Sequence, residues 1–134
     1  PKPAPENEPP PVEFVKGVLI EARNAARNAI LDEHATHGEH GAMMIGAQGF
    51  AEIHIAVGGK SKMRRRLSEA SAEIAQVNFG RDHFKKSYVL WFTEMYGWAA
   101  CGRTVFVQEI GLEAAAKLLQ QHLGIESHVW TREN

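Results

Sequence analysis

The chain has 134 residues, 44% of them apolar and 23% charged, with 15 Lys/Arg against 16 Asp/Glu and a formal net charge of −1. This is enough apolar material for one hydrophobic core, and the balance excludes a chain that is basic or acidic throughout. No apolar run reaches the roughly 18 residues that suggest a membrane span. The single cysteine, Cys101, rules out an internal disulfide and fits a buried small side chain in a reducing, cytoplasmic setting.

All six prolines lie at positions 1, 3, 5, 9, 10 and 11, interspersed with Glu6, Asn7 and Glu8. Such a composition predicts a disordered Pro-rich tail over 1–11, so residues 12–134 are expected to form a single α+β domain. The chain starts at Pro1 in place of Met, as a trimmed chain does, and shows no charged-then-apolar leader of the secretory kind.

From Val12 to about Thr36 the spacing predicts a helix, with Val15, Val18, Leu19, Ala22, Ala25, Ala26, Ala29 and Ile30 in one apolar stripe. Glu21, Arg23, Asn24, Arg27 and Asn28 fall on the opposite side. Alanine allows close approach, so this face of helix 12–36 is the expected contact of a homodimer. Residues 34–41 end the helix in a loop, and Met43, Met44 and Ile45 read as a short strand before a turn at Gly46 to Gly49.

Phe50 to Val57 alternates as a half-buried strand does: Ala51, Ile53, Ile55 and Val57 point one way, Glu52, His54 and Ala56 the other. Gly58-Gly59 breaks it, and Ser61 is placed to cap a helix. Met63, Leu67, Ala70, Ile74 and Val77 then recur at helical spacing, with Arg65 and Glu69 four apart and able to pair. Asn78 to Lys86 reads as polar loop.

Tyr88-Val89-Leu90-Trp91-Phe92 reads as a buried strand, although Phe84, Tyr88, Trp91, Met95 and Trp98 also recur at helical spacing. The unbroken five-residue run and Gly97 favour the strand. Thr104 to Val107 reads as a further strand, residues 109–123 as a helix stopped by Gly124, and Val129-Trp130 as an edge strand. The expected fold is α+β: a three- to five-stranded sheet packed with about three helices, with Trp91, Phe92 and Phe106 in the core.

Charge is unevenly placed. Residues 1–59 carry four Lys/Arg and eight Asp/Glu, a net of −4, whereas residues 60–134 carry eleven and eight, a net of +3. Lys60, Lys62, Arg64, Arg65 and Arg66 crowd the start of the second helix, where acids are the usual choice and backbone N–H groups already attract anions. Arg81, Lys85 and Lys86 follow, interleaved with Phe79, Phe84 and Tyr88. Cations alternating with aromatics suit phosphates and stacked bases of unpaired nucleic acid.

Other chemistry is less well supported. Gly58-Gly59-Lys60-Ser61 resembles the end of a phosphate-binding loop, but the full pattern needs glycine where His54 stands. His34, His37 and His40 are spaced by three and offer imidazoles to zinc or nickel, yet Gly38 separates the last from the helix. No nucleophile pattern is present; Glu52 beside His54 is the one pair that could couple titrations. The chain is therefore expected to be a small non-catalytic binding module without a cofactor. Its ligand is a nucleic acid or another polyanion, held by Lys60, Lys62, Arg64, Arg65, Arg66, Arg81, Lys85 and Lys86. The rivals are a protein-interaction or self-associating module and a metal-binding protein using the loop at 34–40.

Overall fold

The apolar stripe of the first segment folds as expected into a long helix, α1 (Val12–His37), entered from Pro11, whose carbonyl accepts from the N–H groups of Phe14 and Val15. The computed structural model describes residues 8–37, 48–58, 60–81, 87–100 and 104–133. The remaining elements are β1 (Gly49–Ile55), α2 (Lys62–Ala72), β2 (Val77–Arg81), β3 (Tyr88–Phe92), a 3-10 helix (Thr93–Ala100), α3 (Val105–Leu123) and β4 (Ser127–Glu133). Among the described residues four antiparallel strands form one sheet in the order β2-β3-β1-β4, packed with three α-helices, which is the expected α+β class. Among the described residues no helix is long and apolar enough to cross a membrane.

The core lies between the helices and the face of the sheet that carries Ala51, Ile53, Ile55, Leu90 and Phe92. Val15, Leu19, Ala22, Ala26 and Ile30 enter it from α1, Leu67 and Ala70 from α2, and Leu112, Ala115 and Leu119 from α3. Each of the larger side chains contributes about 1.5–3 kcal/mol by leaving water. The alanine side of α1 is thus occupied by its own chain. Gly111 of α3 comes so close that an added Cβ would stand 2.7 Å from Ile30 Cδ1 and 3.1 Å from the Ala26 carbonyl. The expectation that this face joins two copies is corrected: Ala22 and Ala26 are fully buried within one chain.

Hydrogen-bond phase in the sheet follows from one contact. The Ala56 N–H donates to the Glu126 carbonyl at 3.0 Å, and these two residues continue the β1–β4 register that pairs Gly49 with Glu133 and Ile55 with Ser127. Antiparallel pairs alternate between bonded and unbonded. His128, Trp130 and Arg132 therefore bond to β1, while Val129, Thr131 and Glu133 direct N–H and C=O away from the sheet. By the same phase Gly49 and Ala51 face the β3 side, but the β1–β3 pairing stops at Ile53–Leu90, and the chain turns into the 3-10 helix at Thr93. The fully buried Gln108 of α3 takes the missing strand's place: its Oε1 accepts from the Ala51 N–H at 2.9 Å and its Nε2 donates to the Gly49 carbonyl at 3.1 Å.

Several expectations are corrected. The stretch from Asn78, read as polar loop, is the edge strand β2 up to Arg81. It gains pairing from β3 and a stacked contact between Phe79 and Tyr88, with ring centroids 5.4 Å apart. Thr104 to Val107 is not a strand: Thr104 makes an isolated bridge to Gln48, and α3 begins at Val105. Helix α2 stops at Ala72, with Ile74 in the following turn and Val77 already in β2. Phe106 is 53% exposed and Trp91 half-buried, so of the three expected core aromatics only Phe92 is fully enclosed. The proposed strand at Met43 to Ile45, Cys101 and the tail at 1–7 lie outside the described residues.

Gly17 stands on the exposed side of α1, and a Cβ added there would meet nothing within 4 Å. Gly17→Ala is expected to raise stability by about 0.5–1 kcal/mol, because alanine loses less backbone entropy on folding. A urea midpoint that rises at unchanged slope is the check.

Candidate anion-binding face

Ser61 adopts an extended conformation and its Oγ accepts from the Arg64 N–H at 3.1 Å, which starts α2 as a side-chain cap does. No acid follows in the first turn. Cations at a helix N-terminus meet the positive end of the helix dipole, a loss of about 0.3–1 kcal/mol each. This placement works against stability.

Two independent features bring the second basic segment to the same place. Helix α2 and strand β2 reverse direction through the turn at 73–76 and pack together, and at about 1.5 Å and 3.3 Å per residue both run for about 16 Å. The start of α2 therefore lies beside the end of β2. Across the sheet Arg81 pairs with Tyr88, and Tyr88 with Ile55, so β1 also ends here, a few residues before Ser61. Lys60 to Arg66 and Arg81 share one end of the molecule. Lys85 and Lys86 lie outside the described residues.

The cations differ in what they touch. Lys62 is ion-paired to Glu8, and the hydrogen bond it donates, together with its charge, lowers the pKa of the Glu8 carboxyl. Arg66 reaches Glu69 at 3.7 Å, so the expected Arg65–Glu69 pair is replaced by one a residue later. Arg64 is half-buried and not free. Glu8, Lys62, Arg65, Arg66 and Glu69 line an open recess of about 230 Å³. Lys60, Arg65 and Arg81 are exposed, and the Arg81 guanidinium lies 5.9 Å from the centre of the Tyr88 ring, which is itself stacked on Phe79. Among the exposed cations of the described residues this is the one built onto an aromatic stack.

A second group projects from the opposite face of the sheet. His54 is only 6% exposed, and its Nε2 stands 3.5 Å from Glu52 Oε1 without hydrogen-bond geometry. The register places His128 across from it and Trp130 one diagonal away, with ring centroids at 5.6 and 5.5 Å. Reading along the sequence paired Glu52 with His54 but missed the two rings. Extending the alternation of 127–133 by its strand period of two would have put His128 and Trp130 on one face. Of the histidine loop, His34 is exposed on α1, His37 ends that helix, and His40 lies outside the described residues. Among the described residues no three His, Cys, Asp or Glu side chains are grouped to hold a metal ion. No protein-family model, curated protein or solved structure matches the chain.

Proposed function

We propose that this chain is a non-catalytic binding module whose basic end takes up nucleic acid, with unpaired strands preferred over duplex. The observation that carries the reading is the convergence of α2's first turns with the Arg81–Tyr88–Phe79 stack at one end of the sheet. Phosphates pair with Lys60, Arg65 and Arg81, while an unstacked base is served by the aromatic pair. Glu8 acts as an internal substitute for a phosphate on Lys62.

The test is titration of a labelled oligothymidylate against wild type and the variant Lys60→Glu, Arg65→Glu, Arg81→Glu. All three side chains are exposed, so the fold is expected to persist. Wild-type affinity is expected to fall with salt at a log–log slope of about −2, as three contacts at about 0.7 each on a single strand require. The triple variant is expected to bind at least about tenfold more weakly, since each lost contact also becomes a repulsion. Glu8→Gln is expected to tighten binding and steepen the slope by about 0.7, because Lys62 becomes available to one more phosphate. Absence of wild-type binding at low salt, or a triple variant that binds as well, overturns the proposal.

A further inference from the structure

We propose that the outer edge of β4 pairs antiparallel with the same edge of a second copy of this chain, about a twofold axis at Thr131. The two four-stranded sheets then join into one of eight strands.

Strand β4 pairs with β1 through seven consecutive residues without a bulge, and it contains neither glycine nor proline. Natural edge strands are normally blunted by shortness, proline, bulges or a covering element, since an open edge is a template for another strand. The opposite edge, β2, is blunted by shortness: it has five residues, one of them Gly80. Strand β4 is longer, and although α3 packs against it, among the described residues no proline or bulge interrupts it. By the phase set at Ala56 and Glu126, the N–H and C=O groups of Val129, Thr131 and Glu133 point outward, and among the described residues nothing takes them. Ser127 also points outward, but its carbonyl accepts from Gln120 Nε2 at 2.5 Å, which closes that end of the edge. The open stretch is therefore 129–133, and Thr131 is its midpoint.

This stretch complements itself. An antiparallel copy centred on Thr131 sets Thr131 opposite Thr131 and Val129 opposite Glu133, so each open residue exchanges both backbone bonds. On the face opposite the helices, Trp130 then stands across from Arg132 of the second copy, twice over, and an indole facing a guanidinium is an attractive cross-strand pair. An unrelated extended peptide satisfies the backbone but lacks these two pairs, which is why the occupant is a second copy. Arg132 is exposed and Trp130 half-buried, so both reach the edge. Arg81 lies level with Ser127, four residues from the axis, so seven strand gaps of about 4.8 Å and an offset of about 26 Å along the strands would set the two basic ends about 43 Å apart, both free for ligand.

The experiment is sedimentation velocity between about 5 and 500 μM, a range chosen because so short an edge gives a weak, transient interface. It is run without nucleic acid, so its outcome is separate from that of the binding proposal. Wild type is expected to pass from monomer to dimer across this range. Thr131→Pro removes an outward N–H and leaves the bonds to β1, and is expected to weaken the dimer at least tenfold. Arg132→Glu breaks the indole pair without backbone change and is expected to weaken it at least threefold at an unchanged unfolding midpoint. Hydrogen exchange supplies the pattern: amides of Val129, Thr131 and Glu133 gain protection with concentration, whereas His128, Trp130 and Arg132, already bonded to β1, do not. A monomer at 500 μM, a dimer that both variants leave intact, or protection gained elsewhere overturns the proposal.

Discussion

Replacing Gln108 by Met is expected to lower the unfolding free energy by about 2–4 kcal/mol. Methionine keeps the length and volume of the side chain, so the loss measures hydrogen bonding and not a cavity. The glutamine amide serves two main-chain groups at once: it accepts from the Ala51 N–H at 2.9 Å and donates to the Gly49 carbonyl at 3.1 Å. Both residues are buried, and β3 has already turned away, so neither group finds a substitute nearby. A buried donor or acceptor left unmet loses about 1–3 kcal/mol, and here there are two. Urea unfolding of wild type and Gln108→Met is the measurement, with exchange of the Ala51 amide as a local readout. A loss below about 1 kcal/mol means that water or a strand shift meets both groups, and the surrogate-strand reading then fails.

What could be read along the chain depended on whether local pattern or distant contact decides each element. Helix α1, strand β1, strand β3 and the stop of α3 at Gly124, which takes a left-handed φ of 64°, follow from periodicity and punctuation. Strand β2 was hidden because Asn78-Phe79-Gly80-Arg81 has no alternation of apolar residues; its state is set by β3 lying alongside. The start of α3 was ambiguous for a physical reason. Val105 and Val107 are buried and Phe106 exposed, a pattern that a strand would also show, and only continuation through Gln108, Gly111 and Leu112 decides for a helix. Gln108 fell between the expected strand and the expected helix, and nothing local reveals that β3 will stop short of Gly49.

The basic site shows the same division. Five cations around the start of α2 were plain in the sequence, and so was Ser61 as their cap. Which of them remain available was not. Glu8 lies 54 residues from Lys62, beyond any spacing rule, and Arg66 in place of Arg65 meets Glu69 because separations of three and four are both allowed on a helix. The joining of α2 to Arg81 needed the turn at 73–76, and that turn became visible only once Asn78 onward was a strand.

Gly49→Ala is expected to be comparably damaging, with a loss of about 2–4 kcal/mol, and for a reason of space. A Cβ at Gly49 would stand 2.0 Å from the Arg132 carbonyl oxygen and 2.8 Å from Glu133 Cα, with Val105 Cγ2 at 2.7 Å on the other side. Two of the three are backbone and cannot swing aside as a long side chain does. To admit one methyl group, β1 and β4 must part at their last pairs, Gly49–Glu133 and Phe50–Arg132. The movement also draws the Gly49 carbonyl from Gln108 Nε2. The same substitution at Gly17 is expected to stabilise, so the pair separates crowding from a general response to losing glycine. Because Gly49 and Gln108 act on one knot of contacts, Gly49→Ala combined with Gln108→Met is expected to lose less than the two single losses together, by about 0.5 kcal/mol or more. Chemical unfolding of the two single variants and the double variant measures this coupling. Strict additivity would show that Gln108 holds its two backbone groups independently of how β1 and β4 close. A Gly49→Ala loss under about 1 kcal/mol would show that the end of the ladder frays freely. In that case Glu133 would not be held in register to bond with a second copy.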